Sequence, residues 1–417
     1  MTESTDPRDF ADTAATGDHR SPMTDPRPSP HPAPPEATGS LAVASRRIVL
    51  ADRIVPGTVV IEDGLIVAIE EDRMRPEALD WGDDLVIPGL VELHTDHLEP
   101  HYSPRPKVFW DPFSAVFAYD AQIAGAGITT VFDSLRAGSD GDRHSLGSGL
   151  FKLGEAIDRA RSSGFLRVDH HTHLRCEICS HDVVEHARDY VARFDVRLLS
   201  LMDHTPGQRQ FRDVEKLKDY YRGKKSLKNE EQLEAYFESR RELHRAHAVE
   251  FRRALVDLAH EHAIAMASHD DTTVEHVLES VADRVAVAEF PTTVEAARAS
   301  HARGLAVLMG APNVVRGGSH SGNVSAIDLA EAGVLDILSS DYVPISLIEG
   351  AFALAPIAAV GGLAGAIRTV SKNPAEATGM TDRGEIVVGR RGDVVRVAEF
   401  DGHPVVREVY RLGRRVS

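Results

Sequence analysis

Leu85-Val86-Ile87-Pro88-Gly89-Leu90-Val91-Glu92-Leu93 runs directly into His94-Thr95-Asp96. A mostly apolar run of this kind reads as a buried strand. It ends in an imidazole and a carboxylate two residues apart. Side chains alternate along a strand, so His94 and Asp96 are expected to point the same way at its end. A shared cation is the constraint that most often asks for such a pair. H-x-D alone is weak evidence, because 21 His and 64 acidic residues produce such pairs by chance. The test is whether further ligands stand at the ends of other strands.

Between about residues 85 and 380 the pattern alternates short apolar runs with helical stretches. Strands are predicted to end near Leu93, Phe132, Leu174, Met202, Ala267, Phe290, Met309 and Ser339. The connections are long enough for parallel crossovers, and eight such units predict a (β/α)8 barrel of the α/β class. Residues 205–262 are too long for a simple connection. Their Lys, Glu and Arg content and heptad-like spacing predict a helical excursion projecting from the barrel, a candidate lid or homo-oligomer contact.

Outside the barrel, residues 1–44 are rich in Pro, Asp, Thr and Ser and carry few large apolar groups. They bury too little surface to offset ordering entropy, so a disordered tail is expected. Segments 45–84 and 381–417 hold short β-like runs. These are Ile48-Val49-Leu50, Thr58 to Glu62, Gly64 to Ile69, Gly384 to Gly389 and Gly392 to Val397, with a hairpin signal at Glu62-Asp63-Gly64. A small sheet module built from both ends follows.

The chain has 417 residues, of which 42% are hydrophobic, and a formal net charge of −17. That charge argues against nucleic acid or an anionic membrane as partner, and no apolar stretch approaches the roughly 20 residues of a membrane helix. The acidic, Pro-rich N-terminus does not read as a secretory signal. Two cysteines, Cys176 and Cys179, argue against a disulfide scaffold and suit the cytoplasm. Their C-x-x-C spacing stands beside a candidate ligand, and packing is the favoured role for both thiols.

In a barrel, functional groups sit at the C-terminal ends of the strands. There the sequence offers His94 and Asp96, Glu177 in His173-Leu174-Arg175-Cys176-Glu177, His204 in Met202-Asp203-His204, His269 in Ser268-His269-Asp270-Asp271, and Asp341 in Ser339-Ser340-Asp341. Three imidazoles and three carboxylates suit Zn2+ or another borderline divalent ion, one or two per chain, with Glu177 placed to bridge a pair. Two such ions generate hydroxide and clamp a phosphoryl or acyl oxygen, with Asp341 as ligand and proton acceptor. Basic groups crowd the same ends: Arg105, Lys107, Arg136, Arg175, Arg209 and Arg316. Arg forks match phosphate oxygens, so an anionic small-molecule substrate is expected. The loop Gly317 to Asn323, with His320 and Asn323, offers backbone N–H groups to phosphate.

The ligand order resembles the amidohydrolase superfamily, which implies a distorted barrel, a metal centre and a small β-sandwich made from both chain ends. More specific are His94-Thr95-Asp96-His97-Leu98-Glu99-Pro100-His101, Pro104-Arg105-Pro106, Met202 to Gln210, Ser268 to Asp271, Gly310 to Gly317 and Ser339 to Tyr342. These stretches resemble the α-D-ribose 1-methylphosphonate 5-triphosphate diphosphatase family of the carbon–phosphorus lyase pathway, from about residue 46 to the C-terminus. The resemblance implies hydrolysis of a ribose 5-triphosphate to the 5-phosphate and diphosphate in phosphonate catabolism. Two departures stand out. His97 occupies a position where such sequences commonly have Asn. The superfamily usually carries a carboxylated Lys on the fourth strand and His on the fifth and sixth, whereas Glu177, His204 and His269 count to the third, fourth and fifth. No Lys stands at a strand end, which favours Glu177 as the bridge. Two other readings are weighed against the diphosphatase: an amidohydrolase or deaminase acting on a cyclic amide or nucleobase, and a catalytically silent barrel used in assembly.

Overall fold

In the computed structural model, residues 39–138, 149–209, 218, 230–319 and 323–417 are described. The expected tail lies outside them up to residue 38. Strand β1 (Ser40–Val49) extends into the stretch read as tail and pairs with β2 (Ile54–Glu62), which turns into β3 (Leu65–Glu71). The turn is Asp63-Gly64, with φ of 48° and 80°. Two consecutive positive φ values match the right-handed twist of the flanking strands, and Gly at the second position removes the steric cost.

After β4 (Leu79–Asp80), the decisive stretch divides. Leu85–Pro88 is β5, which pairs with β1 and with β14 (Val394–Phe400) in the small sheet. Leu90–Thr95 is β6, the first barrel strand. The single predicted strand is therefore two, broken at Pro88-Gly89. Pro88 supplies no N–H to continue a ladder. Gly89 passes so close to β7 (Ile128–Ala137) that an added Cβ would lie 2.2 Å from Thr129 Oγ1.

The barrel continues through β8 (Asp169–Glu177), β9 (Val196–Met202), β10 (Ala265–His269), β11 (Val287–Glu289), β12 (Ala306–Gly310) and β13 (Ile337–Ser339). β6 to β13 form one eight-stranded parallel sheet in chain order. A parallel bridge between Thr95 and Asp341 joins its first and last strands. Glu177, His204 and His269 stand on or just after the third, fourth and fifth strands, as the spacing predicted. The interior is filled by alternate residues, including Val91, Leu93, Phe132, Leu198, Ala267, Val287, Leu308 and Ile337. The outward faces pack under helices around Leu135, Leu174, Cys176, Leu199 and Met266. Helix starts follow local capping: Asp111 accepts the Ser114 N–H before α2 (Pro112–Gly125), which comes after the short α1 (Leu98–Tyr102).

α3 (Leu150–Ser163) and α4 (Val183–Arg193) follow β7 and β8. The long connection after β9 contains α5, a 32-residue helix over Glu230–Glu261. Leu233, Phe237, Arg240, Leu243, Leu255 and Ala259 are buried along it; Leu243, Leu255 and Ala259 join the core around the barrel, and the helix contacts α4, β9 and β10. Helical spacing of those residues makes a covered stripe along the helix.

The small sheet is completed by β14, β15 (His403–Arg411) and β16 (Arg414–Arg415), in the order β16-β15-β14-β5-β1-β2-β3. It closes on a core of its own, with Val43, Ile48, Ile61, Trp81, Val86, Ile386 and Tyr410. Gly384 to Gly389 forms no strand. Ile386 is the buried anchor of a turn-rich segment, while Val387 and Val388 are exposed.

A half-buried charge cluster locks this module to the base of the barrel. Asp169, at the start of β8, meets Arg411 at 2.6 Å, Arg391 at 2.7 Å and Arg383 at 3.0 Å. Removing one partner of such a cluster strands the others in low dielectric. Asp169→Asn is expected to cost about 3–5 kcal/mol, read from the urea midpoint; a change under about 1 kcal/mol would leave the cluster without a structural role.

On the outer face of β8, His170 Nδ1 lies 2.9 Å from Asp133 and Nε2 lies 3.3 Å from Asp120 of α2. Burial opposes its charge, but the two carboxylates prevail and raise it to about 9. Raised above the unfolded value of about 6.5, it stabilises fully below that pH and loses its contribution as pH climbs through about 9. The stability gap between wild type and His170→Gln should therefore shrink between pH 6 and 10. A gap that stays constant or widens would refute the assignment.

Candidate metal centre

β6 carries one more residue than β7 between Glu92 and Thr95. A bulge of this kind re-aims side chains, and here His94 joins the interior alongside Leu93. Glu92 is fully buried and holds the site from behind. Its Oε1 accepts the His94 N–H at 2.6 Å and its Oε2 accepts the Ser340 N–H at 2.5 Å. Burial pushes this carboxyl up to about 8.

Two three-residue groups meet at His269. Its Nδ1 lies 3.3 Å from Glu289 Oε2, whose other oxygen is 3.1 Å from His94 Nδ1. Its Nε2 lies 3.5 Å from Asp270 Oδ2, which is 3.8 Å from His204 Nε2. Each group is a compact set of ligand-type atoms. His204 Nδ1 then reaches Glu177 Oε2 at 2.6 Å, and its backbone N–H donates to Oε1. Asp341 N–H donates to the His94 carbonyl, and Asp96 N–H donates to the Asp341 carbonyl. All six predicted ligands thus gather at one mouth.

The electrostatics suit a cation. Burial lowers His269 and His173 to about 3 and holds His94 well below its ordinary value, so these rings are neutral, the ligating form. Burial, then Asp96, raises Asp341 to about 7, and burial raises Asp270 to about 7. Asp270 Oδ2 is buried and accepts no hydrogen bond among the described residues. A buried oxygen beside the His269 and His204 imidazole nitrogens fits a divalent ion. Asp270, Phe290 and Asp341, just past strands five, six and eight, all have φ between 52° and 58°. Positive φ in non-Gly residues concentrates where a site overrides local preference.

Glu289, Asp270, Glu92 and Arg240 were missed from sequence. Glu289 and Glu92 each interrupt an apolar strand, a signal that a buried carboxylate has work there. Asp270 adjoins His269. Arg240 lies on α5, far from any strand end in sequence, and had no local signal; its Nη2 lies 3.7 Å from Glu177 Oε1.

The predicted phosphate-facing groups separate. Arg136 Nη2 lies 3.2 Å from Glu177 Oε2 and Arg175 Nη1 lies 3.6 Å from Asp96 Oδ2, both at the mouth. Arg209 is buried in ion pairs with Asp271 and Glu279 and donates to the His269 carbonyl. That placement makes it a clamp on the loop carrying His269 and Asp270. Arg105 and Arg316 are exposed, Asn323 is half-buried, and His320 lies outside the described residues. Cys176 and Cys179 are buried free thiols.

A closed parallel barrel with a sheet built from both chain ends is also the fold of solved amidohydrolases. N-acetyl-D-glucosamine-6-phosphate deacetylase from Mycobacterium smegmatis superposes with a TM-score of 0.60 at 13% identity, covering 91% of this chain and 99% of that one. Molinate hydrolase gives 0.58 at 15% identity, over 91% and 94%. In sequence, the α-D-ribose 1-methylphosphonate 5-triphosphate diphosphatase of Escherichia coli (strain K12) is 44% identical over 372 residues, 89% of this chain and 98% of the relative. The chain belongs to that diphosphatase family. A probable allantoinase from Oryza sativa subsp. japonica is 34% identical over 96 residues, 22% of this chain and 17% of the relative. No protein-family model matches the sequence.

Glu289 binds the Nδ1 side of both His94 and His269, the arrangement that fixes tautomer and ring angle in metal-ligating histidines. Glu289→Gln is expected to weaken divalent-ion affinity about 10–100-fold, measured by competition with a chelating dye. Unchanged affinity would remove Glu289 from the centre.

Proposed function

We propose that this enzyme hydrolyses α-D-ribose 1-methylphosphonate 5-triphosphate to the 5-phosphate and diphosphate, in the cytoplasm, with one or two divalent ions, Zn2+ foremost. The observation that carries the reading is the 44% identity to the Escherichia coli diphosphatase over 98% of its length. The mouth supports it chemically.

His94, Asp96, Glu177, His204, His269 and Asp341 would hold the metal, with Asp270 beside them. A bound divalent ion supplies Lewis acidity toward a phosphoryl oxygen and makes water acidic enough to react near neutral pH. The remaining work falls to the chain. Asp341 takes the proton of the attacking water; its elevated affinity for a proton comes from burial and from Asp96. Glu289 keeps His94 and His269 in one tautomer and one orientation. Arg136 and Arg175 turn a local positive field toward the triphosphate, which a chain of net charge −17 must supply locally. Arg209 stays with Asp271 and Glu279, holding the His269 loop so that the ligands need not reorganise on substrate binding.

Asp341→Asn keeps volume and removes the proton acceptor. Diphosphate release by metal-loaded protein should fall about 10²–10⁴-fold while the circular-dichroism spectrum is unchanged. Near-normal turnover would take Asp341 out of the mechanism. The same preparation, offered allantoin and other cyclic amides, should release no product; hydrolysis of those compounds without diphosphate release would favour the amidohydrolase reading instead.

A further inference from the structure

We propose a second divalent-metal site, structural in role, formed by Cys179, Asp203 and His244. Nothing in the diphosphatase reading uses these residues. They come from three separated segments: the loop after β8, the residue after β9, and the middle of α5. Cys179 Sγ lies 3.4 Å from Asp203 Oδ1 and 3.6 Å from His244 Nδ1. His244 Nδ1 lies 3.1 Å from Asp203 Oδ2. Thiolate, imidazole and carboxylate ligands around tetrahedral Zn2+ stand about 3.3–3.6 Å apart, given bond lengths of about 2.0–2.3 Å. The carboxylate offers one oxygen to each partner, and the three residues form a compact ligand set with Cys179 and Asp203 buried.

The surroundings are arranged for it. Thr205 N–H donates to Asp203 Oδ1 at 3.1 Å, and the Thr205 hydroxyl donates to Cys179 Sγ at 2.9 Å, so both ligands are held by the turn after β9. His244 keeps 27% of its side chain exposed, which leaves a path for an ion and solvent for a fourth position. A sulfur, nitrogen and oxygen donor set selects a borderline ion over Mg2+ or Ca2+. Binding displaces the Cys179 thiol proton to solvent and forms the metal–sulfur bond; nothing is oxidised or reduced. Cys176 takes no part: it stands on the outer face of β8, where its Sγ meets the Leu174 carbonyl at 3.9 Å rather than a ligand-type side chain.

The consequence is mechanical. Asp203 adjoins His204, Cys179 follows Glu177 by two residues, and α5 also carries Arg240 to Glu177. An ion on this trio ties α5 to the two loops that present Glu177 and His204.

The barrel-mouth ligands contain no sulfur, so Co2+ separates the two sites. Full-length protein stripped with chelator and reloaded with Co2+ should show a near-ultraviolet sulfur-to-cobalt charge-transfer band. Cys176→Ser should keep the band. Cys179→Ser and His244→Ala should each abolish or strongly weaken it and lower bound cobalt by about one ion per chain. His244→Ala, at a partly exposed helix position, carries the test if Cys179→Ser does not fold. Absence of the band in Co2+-loaded wild type, or its survival in Cys179→Ser, overturns the proposal. Diphosphate release measured alongside reports on the mouth independently.

Discussion

The carboxylate of Glu92 holds the barrel shut. One oxygen takes the N–H of His94 on the first strand and the other takes the N–H of Ser340 after the last. Between them, the Thr95–Asp341 bridge continues the sheet across the seam. Closing a parallel sheet brings strand ends that are distant in sequence to a common rim. Because the seam falls at His94 and Asp341, the same bonds that close the barrel set two of the proposed ligands opposite one another.

That seam explains the unusual chemistry of the rim. Five carboxylates, Asp96, Glu177, Asp270, Glu289 and Asp341, are gathered at the mouth with the neutral imidazoles of His94, His173 and His269. Burial and neighbouring carboxylates raise Asp341 and Asp270, whereas Glu177, paired with His204, Arg136 and Arg240, is drawn below the usual carboxylate range against the effect of its burial. A site that must hold this much acid without a cation stores electrostatic strain. A divalent ion bound there, as proposed above, would relieve it. Arg209, expected to face phosphate, is instead a second stabilising device, neutralising Asp271 and Glu279 beneath the His269 loop.

The insertion after β9 shows how an elaboration becomes part of a site. α5 lies along the barrel wall, sends Arg240 toward Glu177 and sets His244 against Asp203 and Cys179. Charge-rich composition gave no hint of this, since a buried Arg and a surface Arg look alike in sequence. Burial of Leu233, Phe237, Leu243 and Leu255 on one face was legible as helical spacing, but not what that face would cover.

By itself, the sequence determined the eight parallel units, the terminal sheet module and which histidines and carboxylates stand at strand ends. Each of these depends on local periodicity: alternation in strands, 3.6-residue spacing in helices, and the fact that a parallel strand's last residues always reach the same rim. It did not determine where the Leu85–Leu93 run changes sheets, that Gly384 to Gly389 would remain a turn, or that Glu289 and Arg240 would join the centre. Those depend on contacts between segments: Gly89 against Thr129, the bulge between β6 and β7, and α5 against β9 and β10. A neighbour that decides a residue's role from across the fold leaves no mark in the residues beside it, and only the closed barrel brings the two together.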